Sequence, residues 1–120
     1  MESNGIHHSF KFAISGIAHA FKDNRNIKIH TVIGVLAFIA SISLGLATTE
    51  RIIVLFVIML VISAEMVNTA IEEMVNLITN EHREEAKRAK DVAAGMVLVV
   101  SVGAAIIGVA VFAPYLIELL

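Results

Sequence analysis

Three long stretches without strong charge constrain this chain more than any other feature. Residues 31–47 and 92–113 carry no charged side chain, and the segment 52–78 begins with an uncharged run, 52–64. A helix that crosses the hydrocarbon core of a bilayer needs about 17 to 25 mostly apolar residues. Only 17% of the 120 residues are charged, whereas soluble domains carry about a quarter. We therefore predict an all-α membrane protein with three transmembrane helices in a single domain, 1–120.

An amphipathic segment precedes the first apolar stretch. Within residues 6–22, large apolar side chains share one face of a helix: Phe10, Ile14, Ile17 and Phe21. A helix of this kind lies in the membrane interface or packs against the rest of the protein, and both can hold at once. The polar connection that follows contains Asp23, Asn24 and Asn26, which can turn the chain or cap the next helix.

Small residues recur at every fourth position of the first apolar stretch. They are Ala37, Ser41 and Gly45. This spacing lets helices approach closely in lipid, so we expect this face to serve packing.

The second segment ends in a stripe of carboxylates and amides. At about 100° per residue, a helix places four of them within about 80°: Glu65, Asn68, Glu72 and Asn76. An ionisable residue deep in a membrane segment costs from a few to more than about ten kcal/mol, so it marks a site by default. Glu65 is flanked by apolar turns and has no neutralising residue at helical spacing on its own segment. We assign it a function, whereas Glu73 and Asn76 can be the exposed end of a helix that has left the bilayer.

Lysine and arginine are distributed unevenly among the connections. Four precede the first segment, one separates the first from the second, four lie between the second and the third, and none follows. The positive-inside rule then predicts a cytoplasmic N-terminus, a cytoplasmic connection 79–90 and an extracytoplasmic C-terminus. With this topology, the stripe faces the compartment that holds ATP.

A second charged cluster, residues 88–91, opens the third segment. Lys90 is either a cation that reaches the membrane surface or a group that holds polyphosphate beside the acidic stripe, and its spacing leaves both open. The chain contains no cysteine, which excludes disulfide and thiol chemistry. It also contains no glycine-rich phosphate loop and no protein-kinase signature.

Three blocks resemble the small prokaryotic lipid kinases that comprise diacylglycerol kinase and undecaprenol kinase. The blocks are 20–30 (AFKDNRNIKIH), 65–76 (EMVNTAIEEMVN) and 86–98 (AKRAKDVAAGMVL), and the resemblance runs from about residue 10 to residue 113. The pattern E-x-x-N-x-x-x-E followed by A-K-D is typical of that family. The wording N-R-N-I-K-I-H is more similar to the undecaprenol kinase branch.

The resemblance implies a multi-pass enzyme of the bacterial cytoplasmic membrane. It implies an amphipathic surface helix and three transmembrane helices per subunit, in a homotrimer whose active sites are shared between neighbours. ATP and Mg²⁺ would enter from the cytoplasm, and the acceptor would be a membrane lipid alcohol, undecaprenol first and diacylglycerol as the alternative. No nucleic acid is expected as a partner.

The resemblance also assigns roles residue by residue. Glu65 matches the general base that takes the proton of the lipid hydroxyl, and Asn68 matches the asparagine that orders the site. Four further residues match positions that contact ATP: Lys90, Asp91, Glu72 and Asn24. Of these, Glu72 and Asn24 match the metal ligands.

Two positions depart from the family pattern, which has a glutamate at Asn24 and an aspartate at Asn76. An asparagine oxygen can bind Mg²⁺ but brings no charge, so the metal is held less tightly unless Asp23 or nucleotide phosphates supply anions. Two functions of other classes remain open: a non-catalytic membrane assembly protein related to these kinases, and an ion or proton conduit that uses Glu65 as its relay.

Overall fold

The computed structural model describes residues 5–120, and over that range the chain is helical without a strand. The helices are α1 (Gly5–Lys22), α2 (Arg25–Ser43), α3 (Thr48–Ile78) and α4 (Glu84–Glu118). Within the same range, α2, α3 and α4 are each long and apolar enough to cross a membrane. The prediction of an all-α membrane fold with three apolar spans and one amphipathic helix is confirmed.

Helix α3 is the central helix of this arrangement. It packs extensively against α2 and α4, while α1 makes smaller contacts with α2 and α3. The molecule measures 55 × 44 × 21 Å, so it is flat. Large apolar side chains remain exposed along α2 and α4. That exposure suits helices surrounded by lipid or by other copies of the chain.

Helix α2 starts earlier than the charge pattern predicted. The side-chain oxygen of Asn24 accepts hydrogen bonds from the backbone N–H groups of Asn26 (3.0 Å) and Ile27 (3.3 Å). An asparagine in this position satisfies amides that have no partner within the helix, so the polar residues after it already belong to the helix. The predicted cap before the first transmembrane helix is confirmed, and the helix includes the six residues ahead of the predicted start at residue 31.

The turn after α2 changes one detail of the predicted packing stripe. Ser41 is fully buried, as expected for a packing position, but α2 ends at Ser43, and Gly45 lies in the turn. Gly45 has φ 71°, in the left-handed region that favours glycine. Glycine at position 45 is therefore explained by its conformational freedom in the turn, and not by a small side chain in a helix interface.

Gly34, rather than Gly45, provides the close helix approach. A Cβ built on Gly34 would lie 2.6 Å from Cγ2 of Ile58 on α3. Since atoms of this kind need more than 3 Å, the hydrogen on Gly34 is what lets α2 sit this close to α3.

We expect Gly34→Ala to destabilise the α2–α3 pair by about 1 to 3 kcal/mol, because the added methyl group overpacks a tight contact. The matched control is Gly103→Ala in α4, where no atom lies within 4 Å of the added Cβ. That control should be neutral or gain up to about 1 kcal/mol from helix propensity. Unfolding of the purified variants in detergent measures both. Equal stability of the two variants would contradict the packing role of Gly34.

Helix α3 is longer than the hydrocarbon core it crosses. Its 31 residues span about 46 Å at about 1.5 Å per residue, against about 30 Å of hydrocarbon. Its C-terminal third, which carries the polar stripe, therefore emerges at the membrane surface. At the opposite end, the Tyr115 hydroxyl donates a hydrogen bond of 2.5 Å to Glu50, which ties α4 to the start of α3.

Candidate active site

The polar stripe of α3 lines a cleft of about 360 Å³, which we call the glutamate cleft. The start of α2 and the end of α1 close its other sides. Its polar lining comprises His19, Asp23, Asn24, Arg25, Asn26, Glu65, Asn68, Thr69, Glu72, Glu73 and Asn76. The four residues predicted to share one helical face thus share one cleft, and Asn24 joins them from α2.

Glu65 is the buried carboxylate of this cleft. Its side chain is 3% exposed, and its Oε1 lies 3.2 Å from Nε2 of His30 on α2. A carboxylate taken out of water needs a compensating partner, and His30 is placed to be that partner. His30 was not among the predicted site residues, because partners for Glu65 were sought only on its own helix. Antiparallel pairing of the two segments could have found it, since His30 lies just before the first apolar stretch and Glu65 just after the uncharged run 52–64.

Asn68 and Glu72 lie one turn apart on the open side of the cleft. The Asn68 amide donates a hydrogen bond of 3.3 Å to Oε1 of Glu72. The other end of the same amide, Oδ1, is buried and has no hydrogen-bond partner within residues 5–120. Glu72 itself is exposed. The Asn68 nitrogen therefore faces the exposed Glu72 carboxylate, while the Asn68 oxygen is buried at the far end of the amide.

Asn24 connects α2 to the site helix. Besides capping α2 with its oxygen, it donates a hydrogen bond of 2.6 Å from Nδ2 to the Thr69 hydroxyl. Thr69 in turn donates to the backbone carbonyl of Glu65 at 3.0 Å. Thr69 was not among the predicted site residues. Only its position four residues after Glu65 could have drawn attention to it.

Lys90 and Asp91 lie in a different cleft of about 410 Å³, which we call the lysine cleft. It is formed by the end of α3, the connection 79–83 and the start of α4. Lys90 donates a hydrogen bond of 2.6 Å to the side-chain oxygen of Asn76, the residue that lines both clefts. The two clefts thus meet at Asn76, and Glu65 and Glu72 are not among the residues that line the lysine cleft.

Asp91 is already paired within its own helix. Nζ of Lys87 lies 2.8 Å from its carboxylate, one helical turn away. The hydrogen bond to Asp91, and then the charge of Asp91, raise the pKa of Lys87 above its ordinary value. Lys87 and Asp91 are thus paired with each other, whereas Lys90 donates to a neutral amide, the side chain of Asn76.

The donors in the glutamate cleft suit a hard divalent cation. No group of three His, Asp or Glu side chains that could hold a metal occurs in the described part of the chain. Mg²⁺, however, is usually bound through one or two carboxylates together with water and substrate phosphates. The exposed Glu72 carboxylate, in a cleft that Asn24 also lines, fits that mode of binding.

Comparison with known proteins matches nearly the whole chain. The family described as prokaryotic diacylglycerol kinase matches residues 11–112. The chain is 38% identical to an undecaprenol kinase of Bacillus subtilis over 115 residues, which cover 96% of the chain and 94% of that protein. It is 37% identical to a diacylglycerol kinase of Synechocystis over 113 residues, 93% of the chain but 65% of that longer protein.

A more distant relative agrees with these matches. A diacylglycerol kinase of Haemophilus influenzae is 28% identical over 93 residues, which cover 75% of the chain and 79% of that protein. The matched region includes all the blocks on which the sequence resemblance was based. The chain therefore belongs to the prokaryotic diacylglycerol kinase family of membrane lipid kinases.

Proposed function

We propose that this chain transfers the γ-phosphate of ATP to the hydroxyl of a membrane lipid alcohol, with undecaprenol as the preferred acceptor. The observation that carries the proposal is the glutamate cleft, which a buried carboxylate, Glu65, and an exposed one, Glu72, line together. Undecaprenol is favoured over diacylglycerol because the undecaprenol kinase relative is matched over 94% of its length, and the Synechocystis relative over 65%.

Glu65 is proposed to be the general base. Phosphoryl transfer requires little covalent help and depends mainly on positioning and on neutralising phosphate charge. Glu65 lies about 20 Å along α3 from the outer end of its apolar run, and Glu72 about 30 Å. A lipid hydroxyl at the cytoplasmic interface can therefore reach Glu65 while its chain stays in the membrane. By accepting the hydroxyl proton, Glu65 would make the lipid oxygen a stronger nucleophile toward the γ-phosphate.

Mg²⁺ is proposed to be held by Glu72 and Asn24, with Asn68 ordering the site between them. The unpartnered Asn68 oxygen offers a further donor. The oxygen of Asn24 serves the helix cap but, as an amide oxygen, retains a second lone pair. The bound ion would supply neutralisation of the phosphate charge. Lys90 and Asp91 are proposed to contact the nucleotide.

The proposed assembly is a homotrimer whose sites are shared between subunits. Within one chain the two clefts have only Asn76 in common among their lining residues. Placing the lysine cleft of one subunit against the glutamate cleft of its neighbour would unite base, metal ligands and nucleotide contacts. The apolar side chains exposed on α2 and α4 suit packing between copies as well as lipid.

We expect Asn24→Asp to lower the Mg²⁺ concentration needed for half-maximal activity. Aspartate caps helices as well as asparagine does, so the change adds an anion to the cleft that contains Glu72 and keeps the cap, while it removes the Nδ2 hydrogen bond to Thr69. Because the two carboxylates repel without metal, Mg²⁺ should stabilise the variant against unfolding more than it stabilises the parent. A Mg²⁺ titration at fixed ATP and saturating lipid measures this, and coincident curves for parent and variant would remove Asn24 from the metal site.

The proposed topology places the N-terminus and the connection 79–90 in the cytoplasm. A reporter fused after Leu120 should therefore read extracytoplasmic, and one inserted near Arg83 should read cytoplasmic. The opposite readings would put the glutamate cleft on the side of the membrane without ATP, and would contradict the kinase proposal together with the topology.

Competition between lipid alcohols tests the choice of substrate. Purified protein in detergent or lipid nanodiscs would receive ATP, Mg²⁺ and an equimolar mixture of undecaprenol and diacylglycerol. We expect a higher kcat/KM for undecaprenol. Preferential phosphorylation of diacylglycerol would reverse the substrate assignment, and phosphorylation of neither lipid would favour a non-catalytic assembly protein.

A further inference from the structure

The contact between His30 and Glu65 has no role in the function described so far. Within residues 5–120, His30 provides the only recorded ion-pair or hydrogen-bond contact with the Glu65 carboxylate, at 3.2 Å. His30 is more accessible, with 29% of its side chain exposed against 3% for Glu65. A catalytic carboxylate thus rests against a single polar side chain from the neighbouring helix.

Packing on both sides of His30 fixes its place against α3. Toward the cytoplasm, Asn24 is hydrogen-bonded to Thr69 at 2.6 Å. Toward the outer side, Gly34 lies so close to Ile58 that a Cβ in its place would be 2.6 Å from the Ile58 Cγ2 atom. Since α2 and α3 run antiparallel, these two contacts set the register of the helices at His30. They hold the backbone of His30 opposite Glu65 on α3.

His30 also separates the carboxylate from an apolar groove. This groove, of about 530 Å³, lies between α2, α3 and α4, and His30 is part of its lining. Glu65 opens instead into the glutamate cleft. Without the imidazole, the carboxylate would border an apolar space, where an unpaired charge is costly.

We infer that His30 is a positioning residue for Glu65, an inference that rests on the proposed role of Glu65 as the base. Contact with the imidazole holds Oε1 toward α2, which leaves the other carboxylate oxygen directed to the acceptor hydroxyl. His30 is not among the residues that line the glutamate cleft, where the proposal places the reacting groups. Its removal therefore affects the rate of the chemical step more than the binding of ATP or lipid.

The test compares two replacements of His30 with a remote control. His30→Leu should lower kcat by about tenfold to a hundredfold, part of the range expected for general base catalysis, with KM for ATP and lipid within about twofold. His30→Gln should recover most of kcat, because the glutamine amide reaches the position of Nε2. His7→Leu, the same chemical change on the exposed face of α1, should behave as the parent. A His30→Leu variant with parental kcat would overturn the inference.

A further pair of variants decides the matter even if His30→Leu fails to assemble. His30→Asn carries the same amide on a shorter side chain that falls short of Glu65, so its kcat should lie well below that of His30→Gln. Equal kcat values for these two variants would show that the contact is structural only.

A double-mutant cycle shows whether His30 acts through Glu65. Glu65→Asp keeps a carboxylate but shortens it away from His30, so adding His30→Leu to Glu65→Asp should change kcat by less than about twofold, although His30→Leu alone lowers kcat by about tenfold to a hundredfold. Independent, multiplying losses would contradict the inference. If the proposed function were wrong, the parent protein would phosphorylate no lipid alcohol at all. That outcome is distinct from a wrong inference about His30, in which the parent is active and only the variants differ from the expected rates.

Discussion

Replacing Glu65 by glutamine should abolish phosphoryl transfer and leave the helices assembled. The amide matches the carboxylate in size but cannot accept the proton of the acceptor hydroxyl. The expected loss is at least the 10² to 10⁴-fold typical of a removed general base. Assembly should be kept, because glutamine fills the same buried volume and its amide can still form a hydrogen bond with His30.

The matched control is Glu85→Gln. Glu85 is exposed at the start of α4 and lines neither cleft, so the same loss of charge should leave turnover at the parental level. Transfer of phosphate to lipid and thermal unfolding are measured for both variants. An assembled Glu65→Gln protein with a rate close to that of the parent would remove Glu65 from the role of base.

Mixing two inactive variants should restore activity if sites are shared between subunits. Lys90→Met alone should be nearly inactive, because the nucleotide loses the cation whose recorded partner is the neutral Asn76 amide. In a trimer that combines Glu65→Gln and Lys90→Met chains, some sites receive a native Glu65 from one subunit and a native Lys90 from the next. Random mixing in equal amounts leaves about a quarter of the sites complete, and activity should reach about that fraction of the parent.

The control for this experiment is a mixture of Glu65→Gln and Glu72→Gln chains. Glu65 and Glu72 line the same cleft of the same chain, so a shared site needs both from one subunit and no combination restores activity. Recovery in that mixture, or none in the mixture of Glu65 and Lys90 variants, would contradict the shared arrangement.

The fold was predictable because each transmembrane helix contains a long uncharged stretch, which is visible in the local sequence. The residues at which the helices begin were harder to predict. The cap at Asn24 begins α2 within polar sequence, since residues such as Arg25 and Lys28 can stay exposed while the backbone is already helical. The family could be recognised for the same reason, since its motifs are short blocks of consecutive residues, and the match over residues 11–112 confirmed it.

The polar stripe was predictable for a similar reason. Its members lie on one helix, so the helical repeat alone brings Glu65, Asn68 and Glu72 into one cleft. The contacts of this stripe with other helices were not predictable in that way. They depend on the axial offset between neighbouring helices. No pattern within one segment of the sequence specifies that offset.

His30 illustrates this limit. Its pairing with Glu65 follows from the register of α2 on α3, which Gly34 and the bond between Asn24 and Thr69 set together. The placement of Lys90 in a different cleft from Glu65 depends in the same way on the position of α4. The periodicity of one segment predicts neither this placement nor the contact between His30 and Glu65.

The most direct test of the kinase proposal follows one phosphate. Purified protein is incubated with undecaprenol, Mg²⁺ and ATP labelled at either the γ- or the α-phosphate, and the lipid fraction is extracted and counted. We predict label in the lipid from γ-labelled ATP, none from α-labelled ATP, and none from either when Glu65→Gln replaces the parent. Absence of lipid label with γ-labelled ATP from parent protein, with undecaprenol and then with diacylglycerol, would contradict the account.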